Sequence, residues 1–188
     1  MPYFSDHEAR SIIRDAYMQV HSDGAAVAEA FYAPDELAAI PREAVALALG
    51  VGHPVRHAAL HSGESVLDLG CGAGIDTFLA ARAVGPTGQV VGLDMTPEMV
   101  ERARRSAESA GFGHVEIQEC LIEELPLPDE SVDVVISNGV LNLSTRKSRV
   151  LAEAFRVLRP DGRLAITDLV LTEALPEDVL KSPAAVAG

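Results

Sequence analysis

Three glycines and an acid stand at the end of one apolar run in this sequence. The run is Val66-Leu67-Asp68-Leu69, and Gly70, Gly72 and Gly74 follow at alternate positions. Glycines at the end of a buried strand let the backbone approach a ligand closely. A dinucleotide site uses Gly-x-Gly-x-x-Gly to aim a helix at a pyrophosphate, but here the third glycine comes one residue early. Because Asp68 would repel a pyrophosphate, the pattern favours a ligand that carries a cationic amino group.

A second acid, Asp94, ends the apolar run VVGLD about 20 residues after the last of these glycines. An acid at the end of the second strand can accept hydrogen bonds from both ribose hydroxyls of an adenosine. Met95 follows, and its soft apolar side chain is suited to cover one face of an adenine. Together with the glycine loop, Asp94 therefore indicates a nucleoside site.

The elements that must position these residues alternate between strand and helix from Ser65 onward. We predict strands at 65–69, 90–93, 115–118, 132–137 and 164–169, and helices at 76–84, 97–110 and 147–158. Strands that alternate with helices of about ten or more residues predict an α/β fold, a Rossmann-like doubly wound parallel sheet. In such a sheet the ligand lies at the carboxyl ends of the strands, where the two acids would meet.

The first 62 residues carry no strand pattern. Helical signals occupy residues 8–32. Prolines begin two further predicted helices, one at 42–49 and one from Pro54 to about residue 60, and glycines follow the helix at 42–49. We therefore predict two parts, an N-terminal helical extension or lid over 1–62 and a ligand-binding domain over 63–188.

Composition narrows the class of protein. The 188 residues are 48% hydrophobic, and the net charge is −13 with no run of basic residues, which argues against a nucleic-acid partner. Only two cysteines occur, and we find neither an apolar leader nor a stretch of about 18 apolar residues. We expect a soluble cytoplasmic protein that does not span a membrane.

The sequence resembles the class I S-adenosylmethionine-dependent methyltransferases and, within them, is similar to the arsenite methyltransferases. The resemblance covers about residues 40–185, and DMTPEM and ISN-x-V-x-NLS are its most specific stretches. Four segments carry it: LGVGHP (49–54), VLDLGCGAGIDTFLAARAVGPTGQVVGLDMTPEMVERAR (66–104), SVDVVISNGVLNLS (131–144) and AFRVLRPDGRLAITDLV (154–170).

This resemblance implies S-adenosyl-L-methionine as the cofactor and a small molecule as the methyl acceptor. In-line methyl transfer needs alignment and exclusion of water more than acid–base groups, so no catalytic residue is assigned, and no metal is expected. The cofactor contacts implied by the resemblance are Asp68, Gly70, Cys71, Gly72, Gly74, Asp94, Met95, Leu121, Ile122, Glu123 and Asn138.

The sequence departs from the arsenite methyltransferases at the residues that hold arsenic. The family places cysteines where this chain has Val51 and Gly139, and a third just after the equivalent of Gly188, and neither Cys71 nor Cys120 replaces them. Arsenic prefers soft thiolate ligands, so arsenite is not the expected acceptor. Relatives also usually carry an acid at Leu121, and its loss should cost about 0.5–1.5 kcal/mol of adenine binding.

The family sheet normally continues with two further strands, and we expect both to be absent from this chain. We therefore expect either a fragment of a longer protein or a homo-oligomer that covers the exposed edge of the fifth strand. The main alternative to an enzyme is a non-catalytic cofactor-binding or assembly domain derived from a methyltransferase. His53, His57 and His61 are spaced like one helix face, but surface or pocket-rim histidines are favoured there over a metal site.

Overall fold

A computed structural model describes residues 3–18 and 24–186 of the chain. Residues 19–23, which belong to the stretch expected to be helical at 8–32, lie outside the described residues. On either side of that gap the chain forms two helices, Asp6–Met18 and Gly24–Phe31.

The core of the fold is a five-stranded sheet in the order β3-β2-β1-β4-β5, in which every neighbouring pair is parallel. Because β1 is central and the chain reverses direction across the sheet after β3, the switch point lies between β1 and β4. The prediction of a doubly wound parallel sheet is confirmed. The strands are β1 (Ser65–Leu69), β2 (Gln89–Asp94), β3 (Val115–Glu119), β4 (Val132–Asn138) and β5 (Leu158–Thr167).

Helices cover both faces of this sheet. The described residues form α1 (Asp6–Met18), α2 (Gly24–Phe31), α3 (Pro34–Ala38), α4 (Arg42–Ala46), α5 (Pro54–His57), α6 (Ile75–Val84), α7 (Pro97–Ala110), α8 (Lys147–Val157), α9 (Glu177–Leu180) and α10 (Pro183–Val186), with a short 3-10 helix at Leu141–Leu143. Helix α6 packs on one face, against Val66, Val90 and Val134. Helix α8 packs on the other, against Leu67 and Val135.

The crossover helices begin and end where local residues require it. Thr96 is extended at the start of α7, Pro97 takes the first helical position, and Gly111 ends the helix in the left-handed region with φ 74°. Proline is preorganised for the first turn, and glycine enters the left-handed region without a Cβ clash. The predicted limits of α7 are therefore confirmed.

The fifth strand begins earlier than predicted. Leu158 already pairs with Val132, and the register then shifts until Arg163 pairs with Val134. Asp161, with φ 64°, lies in the bulge between these pairs. Residues 159–162, whose sequence Arg-Pro-Asp-Gly is typical of a turn, thus form a bulge inside β5 and do not separate the helix from the strand.

The N-terminal extension shares its core with the sheet domain. Ala28, Tyr32 and Ala44 are buried in one cluster with Phe78 and Leu79 of α6. Helices α4 and α5 are shorter than predicted and end at Ala46 and His57. None of the helices in the described parts of the chain is long and apolar enough to cross a membrane.

Candidate functional site

One large cleft opens at the carboxyl ends of β1, β2 and β4. Its empty volume is about 1130 Å³, open solvent at the mouth included, and the predicted site residues all line it except Gly74. This is the place where an open parallel sheet binds ligands. The topology thus brings together residues that are far apart in the sequence.

The three glycines of the loop after β1 differ in the space around their Cα atoms. Gly70, Gly72 and Gly74 all have positive φ, at 71°, 53° and 99°. A Cβ on Gly70 would lie 2.4 Å from Val140, and one on Gly74 would lie 2.6 Å from Phe78. A Cβ on Gly72 would meet no atom within 4 Å. Gly74 therefore serves the start of α6 behind the cleft wall, whereas Gly72 presents bare backbone to the cleft.

Asp94 ties the end of β2 to this loop. Its Oδ2 accepts a hydrogen bond from the Gly72 amide at 2.9 Å, and its Oδ1 accepts one from the Thr96 amide at 2.8 Å. Burial raises the pKa of Asp94, and the hydrogen bonds from these two amides oppose that rise. The carboxylate is thus held by backbone donors at the cleft wall.

Asp68 lies deeper, at the end of β1. Only 2% of the residue is exposed, and its Oδ2 accepts a 2.6 Å hydrogen bond from the Thr77 hydroxyl. Burial raises the pKa of Asp68 to about 8, and the nearby charges of Asp76 and Asp94 add to the effect. A cationic ligand beside Asp68 would favour the charged form of this acid and lower its pKa again.

Asp76 is a buried cleft residue that the sequence reasoning missed. Its Oδ1 accepts a 2.9 Å hydrogen bond from the Tyr32 hydroxyl, and its Oδ2 accepts one of 2.8 Å from Asn138 Nδ2. Burial raises the pKa of Asp76 to about 6, and these two hydrogen bonds limit the rise. The available signal was an acid in the first turn of an otherwise apolar helix, IDTFLAARAV.

The side chain of Asn138 lines the cleft but is fully engaged within the protein. Its Oδ1 accepts from the Val51 amide at 2.8 Å and from the Thr167 hydroxyl at 2.9 Å. Its Nδ2 donates to the Gly52 carbonyl at 2.9 Å and to Asp76. Because the Val51 amide can only donate, the orientation of the Asn138 amide is determined. Asn138 therefore braces loop 49–53 against the end of β4.

Softer side chains also line the cleft. Met95, Leu121 and Ile122 line it together with the buried Cys71. Burial raises the pKa of the Cys71 thiol, which is therefore neutral. Glu123 also reaches the wall, where its Oε1 accepts a 2.6 Å hydrogen bond from the Ser144 hydroxyl.

Helix α1 closes one side of the cleft. Ile13 and Tyr17 line it, and Arg10 Nη2 lies 3.7 Å from Glu123 Oε2. The Thr145 hydroxyl donates a 2.7 Å hydrogen bond to Asp6 Oδ1, which fastens the start of the helix. Residues of α1 therefore line the cleft, and a role of the N-terminal segment as a lid stays a prediction.

Val51 and Gly139, the two positions at which the resemblance to the arsenite methyltransferases implies cysteine, lie side by side. A Cβ on Gly139 would be 3.6 Å from both terminal carbons of Val51. Gly139 lines the cleft, and Val51 directly follows Gly50, which also lines it. This corner therefore contains the two methyl groups of Val51 and the backbone of Gly139, and no thiolate.

The three histidines do not share one environment. His53 is 5% exposed, its ring centroid lies 4.4 Å from that of Tyr32, and its Nε2 lies 3.0 Å from Glu36 Oε1. His57 and His61 are exposed. Among the described residues, no group of three or more His, Cys, Asp or Glu side chains is arranged to hold a metal ion.

Comparison with known proteins shows that the chain is similar to methyltransferases. A family model described as a methyltransferase domain matches residues 60–188. An arsenite methyltransferase of Halobacterium salinarum is 48% identical over 157 residues, which make up 84% of this chain and 40% of that protein. The chain thus spans less than half of that relative.

Two solved methyltransferase structures are also similar to this chain. An arsenic(III) S-adenosylmethionine methyltransferase from Chlamydomonas reinhardtii has a TM-score of 0.63 at 34% identity, covering 85% of this chain and 53% of that one. A SAM-dependent methyltransferase from Aquifex aeolicus has a TM-score of 0.59 at 26% identity, covering 84% of this chain and 80% of that one.

Proposed function

The chain belongs to the methyltransferase domain family, and from that premise we propose that its cleft binds S-adenosylmethionine for methyl transfer to a small molecule other than arsenite. The observation that carries the proposal is the meeting of the glycine loop, Asp68 and Asp94 in one cleft. When bound, the cofactor supplies an activated methyl group on a positively charged sulfur.

The residues of the cleft fit this cofactor chemically. Asp94 presents a carboxylate suited to the two ribose hydroxyls, and Asp68 is a buried acid suited to the ammonium group. Gly72 leaves open space where a larger residue would intrude. The apolar wall of Met95 and Ile122 suits the faces of an adenine ring.

The protein contributes by aligning the acceptor with the cofactor and by excluding water from the cleft. Ile13, Leu49, Val140 and Leu143 give the remainder of the cleft an apolar lining, and Tyr17 reaches in from α1. Burial raises the pKa of Tyr17, and the charges of Asp94 and Asp168 add to that rise. A neutral phenol on a lid helix can help to position an acceptor and keep water out, which is what methyl transfer chiefly requires.

The acceptor is proposed to be a small molecule that needs no thiolate ligands. At the corner formed by Val51 and Gly139, the protein offers a half-buried valine and backbone. Trivalent arsenic binds soft sulfur ligands, and this corner has none. An apolar acceptor with a single nucleophilic atom suits this lining better than arsenite does.

Restoring the two thiols should create arsenite binding. We expect the double variant Val51→Cys/Gly139→Cys to bind arsenite under reducing conditions at least about tenfold more tightly than the parent chain, because two adjacent thiolates can share one arsenic atom. The left-handed backbone at Gly139 should cost the variant about 1–2 kcal/mol of stability. Arsenic retained after gel filtration, measured by mass spectrometry, checks this, with each single variant as the control. Equal retention by the parent chain would contradict the substrate argument.

Returning an acid to the adenine side should strengthen cofactor binding. The variant Leu121→Asp is expected to bind S-adenosylhomocysteine about 2- to 10-fold more tightly, because one hydrogen bond to the adenine amino group adds about 0.5–1.5 kcal/mol. Isothermal titration calorimetry measures this directly, and Leu121→Asn serves as the uncharged comparison. Weaker binding by the aspartate variant would show that Leu121 does not face the adenine.

Enzyme activity is tested by incubating the chain with labelled S-adenosylmethionine and a panel of small thiols, phenols and amines. Formation of S-adenosylhomocysteine with at least one acceptor, and none with arsenite, supports the proposal. Cofactor binding without turnover on any acceptor would favour the non-catalytic domain instead. The observation that supports this alternative is the presence of Val51 and Gly139 where the resemblance implies cysteines.

A further inference from the structure

Strand β5 forms one edge of the sheet. It pairs with β4 on its inner side, and in the described part of the chain no other strand pairs with it. Helices pack on its two faces, because Ala165 shares a buried cluster with Ala80 of α6, and Leu158 packs against the cluster that contains Ala154 of α8. The outer edge therefore carries unpaired N–H and C=O groups, and such an edge can pair with a strand of another chain.

The hydrogen bonds to β4 show which backbone groups of β5 point outward. The Thr167 carbonyl accepts a 2.8 Å hydrogen bond from the Gly139 amide, which directly follows β4. In a strand the N–H and C=O of one residue point to the same side, and the side alternates from one residue to the next. Thr167 and Ala165 therefore bond to β4, whereas Leu164 and Ile166 direct their N–H and C=O groups to the open edge.

The side chains of these two outward residues are apolar and lie on one face of the sheet. Leu164 is 42% exposed, and Ile166 is partly buried. Because successive side chains alternate between the faces and Ala165 packs on the face of α6, both lie on the face of α8. The open edge thus combines unpaired backbone groups with apolar side chains.

Helix α8 adds an apolar strip beside this edge. Phe155 is 82% exposed, and Leu151, one turn earlier, is 41% exposed. On another side of the helix, Arg149 and Arg156 donate to carbonyl oxygens of the segment 123–127, which packs over β1 and β2. Since that segment lies on the inner side of α8, Leu151 and Phe155 project toward the open edge of β5.

We propose that two copies of this chain pair through β5, antiparallel and about a two-fold axis at Ala165, so that their sheets become one. In this register Leu164 lies opposite Ile166 of the partner subunit, and the two residues exchange both of their outward hydrogen bonds. Ala165 lies opposite its own counterpart at the close position between the hydrogen-bonded pairs, where a small side chain fits.

The sequence of β5 favours this register. An axis at Ile166 would place Leu164 opposite Asp168, and an axis at Leu164 would place Ile166 opposite Gly162. The axis at Ala165 instead pairs leucine with isoleucine twice, and cross-strand apolar pairs stabilise a sheet. An odd shift is excluded because it would oppose outward groups to residues that already bond to β4.

The charges along the edge are compatible with a second copy. Arg163 would lie opposite Thr167, and Gly162 opposite Asp168, so no two charged side chains face each other across the axis. Arg163 also donates a 2.7 Å hydrogen bond to Glu64 within its own chain. The same edge thus serves both partners, as a two-fold interface requires.

The helices beside the edge complete the interface. Because the axis is perpendicular to the joined sheet, the two α8 helices lie on the same face. Leu151 and Phe155 of each chain then face those of the other, and the apolar strip that is exposed in one chain becomes covered.

Sedimentation velocity of the purified chain, from about 5 to 200 µM, tests the pairing. The expected result is a shift with concentration toward a species of twice the chain mass of 19.9 kDa. A single species of 19.9 kDa at every concentration overturns the proposal and leaves the edge of β5 to a strand of another polypeptide.

Two variants place the interface. Phe155→Glu brings two charges together near the axis and should raise the dissociation constant of the dimer at least about tenfold. Ile166→Pro removes an N–H that is unbonded in the single chain and should have a similar effect, with melting as the check on its fold. The control is Phe31→Glu, at an exposed position on α2, which should leave the dimer unchanged. A dimer that neither Phe155→Glu nor Ile166→Pro weakens overturns the proposal.

Amide hydrogen exchange followed by NMR tests the register. The amides of Leu164 and Ile166 should exchange at least about 100-fold faster in the Phe155→Glu monomer than in the parent dimer. The amides of Ala165 and Thr167, which bond to β4, should stay protected in both. Equal exchange of Leu164 and Ile166 in monomer and dimer overturns pairing through β5.

Discussion

Replacing Asp94 with alanine is expected to weaken binding of S-adenosylhomocysteine by at least about 100-fold, because two charge-assisted hydrogen bonds to the ribose, each about 1.5–3 kcal/mol, would be lost. The same carboxylate accepts hydrogen bonds from the amides of Gly72 and Thr96, so the loop would lose an anchor as well. Calorimetric titration of the purified variant measures the change in dissociation constant.

Asp94→Asn is the matched control for this experiment. It keeps one acceptor oxygen and nearly the same volume, so its loss of affinity should be smaller, about tenfold. A dissociation constant for the alanine variant within about threefold of the parent value would remove Asp94 from the ribose site. Comparing the melting temperatures of both variants separates loss of binding from loss of folding.

Gly72→Ala is expected to weaken cofactor binding by at least about tenfold while the protein stays folded, since one misplaced methyl in a binding site costs about 1–3 kcal/mol. The new Cβ would meet no protein atom within 4 Å, and it would stand where Gly72 borders the cleft. The only cost to the fold is the left-handed backbone, about 1–2 kcal/mol.

Gly111→Ala matches this change at a remote position. Gly111 also has positive φ and open space for a Cβ, but it ends α7 and does not line the cleft. Both variants should lose similar stability, and only Gly72→Ala should lose affinity. Equal affinities for the two would mean that the ligand does not approach the backbone at Gly72.

The parts of the fold that sequence predicted well depend on local rules. The limits of α7 follow from Pro97 and Gly111, and the parallel sheet follows from apolar strands that alternate with helices. The end of β1 also places Asp68 beside the glycine loop through contiguous chain alone. For these elements neighbouring residues determine the outcome, so one sequence suffices.

The parts that sequence missed depend on contacts between distant residues. Tyr32 and Asp76 are 44 residues apart, and no periodicity links them. His53 was expected at the surface or at the rim of the cleft, yet it is buried against the ring of Tyr32 just before α5 begins. The early start of β5 likewise depends on the pairing of Leu158 with Val132. The turn-like sequence at 159–162 gives no indication of that pairing. Each of these features requires the tertiary structure.

The cofactor assignment also explains why an acidic protein can hold its ligand without basic residues. Phosphate-bearing cofactors need positive charge or helix dipoles at the glycine loop. Here four acids line the cleft, namely Asp68, Asp76, Asp94 and Glu123, and the only basic residue lining it, within the described chain, is Arg10, which pairs with Glu123. A ligand with an ammonium group and a sulfonium is the kind of cation that such a site stabilises.

The most direct test of the central claim is calorimetric titration of the purified chain with S-adenosylhomocysteine. The structure predicts one site per chain with a dissociation constant in the micromolar range, about −8 kcal/mol. No detectable binding up to about 1 mM ligand, from a chain that melts cooperatively, would contradict the assignment of this cleft as a cofactor site.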